Sequence, residues 1–250
     1  MKCKICNESC ELLFTTNNIL GKYEANYLKC TYCGFIFIEN PFWLEEAYTK
    51  PISELDDGIL RRNDKFANYL ARLLKNNTEF LSNDNYLDYG SGYGIFVRMM
   101  RDRGYRFFAF DQYCKNIFSQ EYSIQPQTEM KFKLITLLEV IEHISDPFSF
   151  LMNLNEKASL FLITTELIPN IKIKSVEDWH YFSPLPGQHI SFFTINALKI
   201  LSAKLGMYLV SDEKQIHVLS KTKISKHAFI ETKVKKYIYK ELDNLVKGVK

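Results

Sequence analysis

Ten residues, LDYGSGYGIF from Leu87 to Phe96, restrict the fold more than any other stretch of the chain. An apolar run carrying an acid ends here, three glycines follow at alternate positions, and an apolar helical pattern begins at once. A glycine turn between a strand and a helix lets the main chain approach a ligand where any Cβ would clash. The spacing narrows the ligand. A dinucleotide fingerprint G-x-G-x-x-G needs glycine at 95, which is Ile95; the chain instead reads D-x-G-x-G-x-G, with Asp88, Gly90, Gly92 and Gly94.

An acid at that strand end repels a pyrophosphate. S-adenosylmethionine has no phosphate but carries an ammonium and a sulfonium, so Asp88 favours it. The next apolar run, RFFAF, ends at Asp111, placed like the acid that accepts hydrogen bonds from both ribose hydroxyls in nucleotide-binding folds. Two acids at neighbouring strand ends make a coherent site for this cofactor.

Around this turn, strand-like and helical runs alternate: NYLDY, IFVRMMRDRG, RFFAF, KFKLITLLEV, PFSFLMNLNEK and SLFLITT. That order predicts βαβ units and a mostly parallel sheet covered on both faces, an α/β fold. MYLVSD and QIHVLSK, close together, predict an antiparallel edge hairpin. A helix is expected from about Thr194 to Leu205. The segment from Glu166 to Phe193 is irregular and rich in Pro, Trp, His and Tyr, and long loops of this kind are usually functional. The expected division is a metal-stapled unit at 1–45, a helical linker at 46–82, the main domain at 83–222 and an amphipathic C-terminal helix at 223–250.

Charge excludes some partners. The net charge is only +3, and residues 221–250 alone hold +6, leaving −3 on the rest. A nucleic-acid partner is therefore not expected, the tail reading as a solvated helix face. No apolar segment approaches the roughly 18 residues of a membrane span, and the first residues do not form a secretion signal, so a cytoplasmic protein is expected.

The runs LDYGSGYG, FFAFDQY and LLEVIEHISDP together resemble the class I S-adenosylmethionine-dependent methyltransferases, over roughly residues 45–220. EAY, RRN, RDRGY and WHYFSPLPGQHISFF are similar to a bacterial subgroup with a four-cysteine N-terminus. The resemblance implies a Rossmann-like methyltransferase sheet, loop glycines Gly90 and Gly92 against the methionine part of the cofactor, and Asp111 on its ribose. It also suggests Tyr48, Arg62 and Gln112 for the cofactor rim.

Methyl transfer from a sulfonium is an in-line displacement, in which the protein aligns the nucleophile and removes a proton from an alcohol or phenol. LLEVIEHISDP begins at a strand's C-terminal end, where ligands bind in such folds. Glu139 and His143 lie four apart, on one face if the turn is helical, and His143 is a candidate base, as the resemblance also implies. His189 is a second candidate, following a loop with Trp179, His180 and Tyr181 that is read either as a lid or as core. The N/D-P-P-Y/F tetrapeptide of amino-group methylation is absent after the fourth strand, and no Pro-Cys nucleophile follows a strand. An oxygen acceptor on a small molecule is the default expectation. A sugar is suggested by analogy with sugar C-methyltransferases, which share a cysteine-rich N-terminus. Two alternatives are an rRNA or tRNA methyltransferase with a zinc module, and an inactive zinc-bearing interaction protein.

Cys3-x-x-Cys6 and Cys30-x-x-Cys33 have the spacing of two knuckles giving four thiolates to a tetrahedral, structural Zn²⁺. Cys10 and Cys114 are expected to be free thiols.

Overall fold

The structure is a computed structural model that describes residues 1–49, 58–76, 80–125 and 128–224. The predicted C-terminal amphipathic helix falls almost wholly outside the described residues, as does part of the predicted linker.

Chain order gives β1 (Cys10–Ile19), β2 (Tyr23–Cys30), β3 (Ile36–Ile38), α1 (Leu44–Ala47), α2 (Ile59–Lys75), β4 (Tyr86–Tyr89), α3 (Ile95–Asp102) and β5 (Phe107–Phe110). Then come β6 (Leu134–Leu138), α4 (Pro147–Asn155), β7 (Leu160–Thr164), β8 (Ser191–Phe192), α5 (Ile195–Lys204), β9 (Tyr208–Ser211) and β10 (Ile216–Ser220). The main sheet has the order β5-β4-β6-β7-β10-β9. Its first four strands are parallel, and β10 runs antiparallel to both β7 and β9. The expected hairpin is present, with β9 as the outer edge.

Period-two alternation explains why both faces are covered. Tyr86, Phe107, Leu134, Leu160, Leu162 and Val218 face a layer made by α2 and α3. Leu87, Ile135, Leu137, Phe161, Ile163 and Leu219 face α4 and α5. Each helix of that second layer begins at a side-chain cap: Asp146 accepts from the Ser149 amide, with Pro147 in the first turn, and Thr194 accepts from the Ala197 amide.

A second, antiparallel sheet has the order β1-β2-β3-β8. Its fourth strand comes from the end of the irregular segment, so the N-terminal 45 residues do not close on themselves. The lid-or-core question for that segment is answered at Phe182, Trp179 and Tyr181, which are buried against Phe14, Tyr27, Ile38 and Trp43 of the second sheet and its flank. Phe182 meets Phe14, Tyr27, Trp179 and Phe192 edge-on, with ring centroids 4.8–5.5 Å apart. The segment is thus the mortar between the sheets. Among the described residues no helix is long and apolar enough to cross a membrane.

Phe182→Ala removes the centre of this aromatic cluster. The expected loss is about 3–5 kcal/mol in denaturant unfolding; a loss below about 1 kcal/mol would show that the segment does not hold the two sheets together.

Candidate active site

The sheet order reverses at β4: the chain leaves it for β5 on one side and later returns to β6 on the other. A crevice opens outside the carboxyl ends of strands at such a switch point. A cleft of about 950 Å³ lies there, lined by Asp88, Gly90, Gly92, Asp111, Gln112, Tyr48, Arg62, Glu139, His143 and His189. Every predicted cofactor and catalytic position except Gly94 lines this one space. Gly94 turns away from it, and a Cβ there would stand 2.1 Å from Asn116 Oδ1.

The glycine turn and Asp111 form one unit. The amides of Gly90 and Ser91 donate to the Phe110 carbonyl at 2.8 and 3.0 Å, and the Gly92 amide donates to Asp111 Oδ2 at 2.8 Å. Asp111 Oδ1 accepts from the amides of Tyr113 and Cys114. Gly90 has φ +78°, and a Cβ on it would lie 2.6 Å from Val140 Cγ2. No side chain fits between β4 and the turn after β6.

Asp88 is 2% exposed and accepts from the Thr136 hydroxyl at 2.6 Å. Burial, aided by the charge of Asp111 and opposed by the Thr136 bond, pushes its carboxyl up to about 7. It becomes a strong partner for a cation that enters the cleft. Tyr48 stacks on Tyr113 at 4.0 Å between centroids and lies 6.3 Å from the His143 ring, so this pair spans from the Asp111 side to the imidazoles.

The acceptor end departs from the helical turn entertained for Glu139 and His143. Glu139 has φ +56°, and Ile141–His143 is a single 3₁₀ turn, so the two are not stacked on one α-helical face. The left-handed Glu139 is held by Thr164, whose carbonyl and hydroxyl accept its amide at 3.1 and 2.9 Å while the hydroxyl donates to Glu139 Oε1 at 2.8 Å. His143 Nδ1 is 3.1 Å from the Gln188 carbonyl, and His189 Nδ1 is 2.7 Å from the Tyr181 carbonyl. The two rings meet edge-on at 4.9 Å. Burial and then His189 push His143 down to about 3, so its ring is neutral at physiological pH. His180 is 77% exposed, 3.5 Å from Glu166.

Glu142, and Tyr181 of the loop named above, complete the site. Glu142 is fully buried, and the Tyr181 hydroxyl lies between its Oε1 and Glu139 Oε2, the latter at 2.9 Å. The Tyr181 hydroxyl donates toward both carboxylates and has the Thr165 hydroxyl 3.2 Å away. Burial and the charge of Glu139 hold Glu142 well above the usual carboxylate range. The only signal in the sequence is that E-V-I-E-H holds a second acid.

The four cysteines also meet. Cys3 and Cys33 sulfurs are 3.6 Å apart, Cys6 and Cys30 sulfurs 3.3 Å, and no two of the four are farther apart than 4.8 Å. Four thiolates about 2.3 Å from a Zn²⁺ would be about 3.8 Å apart, so this set fits the ion closely. The amides of Ile5 and Cys33 point at the Cys3 and Cys30 sulfurs, both at 3.4 Å. The Cys33 thiol, donating to Cys3, pulls Cys3 down to about 4 against burial. Cys10 stands outside the set, pushed up to about 12 by burial.

A family model described as a methyltransferase domain matches residues 60–212, and the chain belongs to that family. The chain thus carries a methyltransferase domain of α/β fold. Among solved structures it is similar to the 1,6-didemethyltoxoflavin-N1-methyltransferase of Burkholderia thailandensis with bound S-adenosylhomocysteine, at 14% identity and TM-score 0.54, covering 80% of this chain and 96% of that one. It is also similar to TnmH, at 14% identity and TM-score 0.50 over 72% of this chain and 61% of that one. CalO1, a methyltransferase in calicheamicin biosynthesis, matches at 14% identity and TM-score 0.43 over 64% and 55%. The chain thus spans less than two thirds of the length of TnmH and CalO1. Comparison with curated proteins finds no match.

Asp88 gives a pH test. Folding raises its pKa from 3.8 to about 7, so the folded chain binds this proton more tightly, and stability falls as pH rises through that window. Asp88→Asn should therefore gain in Tm relative to the natural chain between pH 4 and pH 8. A Tm difference that does not change with pH would contradict the buried carboxylate.

Proposed function

We propose that this enzyme transfers the methyl group of S-adenosylmethionine to an oxygen of a small molecule, such as a sugar or another polyhydroxylated precursor. The observation that carries the reading is that one cleft has the glycine turn with Asp88 and Asp111 at one end and two imidazoles at the other. The cofactor supplies an electrophilic methyl on a sulfonium. Asp111 accepts from the ribose hydroxyls with the lone pairs left by its backbone contacts, Gly90 and Gly92 let the main chain lie against the methionine part, and Asp88 compensates its ammonium. Tyr48, Arg62 and Gln112 form the rim.

His143 and His189 act on the acceptor, each ring fixed through Nδ1 so that its other edge has a set direction. Glu139 and Tyr181 hold the turn that carries His143. The acceptor's wall is built by the end of β1 and the packed segment: Asn18, Pro184 and Leu185 line the cleft, and the Leu20 amide donates to the Pro184 carbonyl at 3.0 Å. A Zn²⁺ held by Cys3, Cys6, Cys30 and Cys33 would staple that sheet and take no part in the chemistry, since four thiolates leave no open position. Glu139, Glu166 and Glu177 in the lining disfavour a phosphate backbone, which supports a small acceptor over RNA. Six cysteines without a disulfide suit a reducing, cytoplasmic setting.

The test is S-adenosylhomocysteine formation over a panel of sugars and phenols. His143→Ala and His189→Ala should each lower turnover at least about a hundredfold, with S-adenosylhomocysteine affinity nearly unchanged. Turnover like the natural enzyme's in both variants would remove the imidazoles from the chemistry.

A further inference from the structure

The Glu142 carboxylate has a feature that methyl transfer alone does not use. It is fully buried, its Oε1 is bonded to Tyr181, and its Oε2 has no hydrogen-bond partner among the described residues. Leaving a buried carboxylate oxygen unpartnered is costly, so such a group is expected to face an occupant. What it faces is specific: one donor atom each of Glu142, His143 and His189 lie within 4.8 Å of one another.

Two imidazole nitrogens and one carboxylate oxygen are a donor set for divalent first-row transition ions, and three protein ligands leave coordination positions open. Each imidazole has its Nδ1 against a main-chain carbonyl, Gln188 for His143 and Tyr181 for His189, which is the outer support that metal-ligating histidines usually have. With metal–ligand bonds of about 2.0–2.2 Å the donors would sit about 3–4 Å apart, so closing by at most about 2 Å completes the set. Both histidines line the cleft, so the open positions would face it.

We propose that Glu142, His143 and His189 form a second metal centre, for a divalent first-row transition ion, at the acceptor end of the cleft. It rests on the methyltransferase reading only for its use: an ion there binds an acceptor oxygen, and the imidazoles act by holding the ion. The set differs from the four-cysteine cluster in chemistry, since nitrogen and oxygen donors accept Mn²⁺ while thiolates favour Zn²⁺.

The experiment uses the full chain with its cysteines loaded with Zn²⁺ and without cofactor. Mn²⁺ is titrated by calorimetry and by the electron paramagnetic resonance of the free ion. One Mn²⁺ per chain is expected, with affinity lowered at least about tenfold in Glu142→Gln and in His189→Asn. No binding by the natural chain up to about 1 mM Mn²⁺, or variants that bind as the natural chain does, would overturn the proposal. Circular-dichroism melts check folding; if Glu142→Gln does not fold, His189→Asn, at the half-buried edge, decides. S-adenosylhomocysteine is titrated into the same samples. Its failure to bind counts against the methyltransferase reading, whereas the Mn²⁺ result stands independently of it.

Discussion

The reversal of strand order at β4 is the constraint on which the site depends. One neighbour continues to β5 and carries Asp111; the other, β6, carries Glu139 and the turn to His143. The crevice between them is only as wide as the glycine turn allows, because Gly90 passes so close to Val140 that no Cβ fits. Asp88, bonded to Thr136 across the β4–β6 seam, gives that crevice a buried acid. On the proposed reading, strand order, glycine turn and acids act as one device for holding a cofactor that is positively charged and free of phosphate.

Tyr181 joins this device to the second sheet. Its ring belongs to the aromatic cluster of β1, β2 and β8, its hydroxyl sits between Glu139 and Glu142, and its carbonyl orients His189. The four cysteines stabilise the opposite margin of the same sheet, and Thr194 links them to the main layer by donating to the Cys33 carbonyl at 2.6 Å while capping α5. On the proposed reading the four-cysteine knuckles take no part in the chemistry, yet they belong to the unit against which the acceptor would rest.

Much of this was legible in the sequence because it is local. Period-two runs, the D-x-G-x-G-x-G turn and paired cysteines are short-range patterns whose structural demands fall on neighbouring residues. The parallel strands, the antiparallel pair at the edge, the joining of the glycine turn to Asp111 and the sulfur cluster follow from them. What was not legible is non-local. Nothing near Ser191 or Phe192 shows that they pair with Phe37 and Ile36, so the second sheet's fourth strand was invisible. The spacing of Glu139 and His143 invited a helical reading, whereas the left-handed Glu139 depends on Thr164, a residue on another strand. Glu142 was hidden for the same reason: burial against Tyr181 sets its character, and only the packed segment brings Tyr181 there.

The central claim is that Asp111 and the glycine turn bind S-adenosylmethionine and its product. Calorimetric titration of the natural chain and of Asp111→Ala with S-adenosylhomocysteine tests it most directly. The account predicts saturable binding at one site per chain, weakened by about a hundredfold or more when the paired ribose contacts are removed. No binding by the natural chain at high ligand concentration, or equal binding by the two proteins, would contradict it.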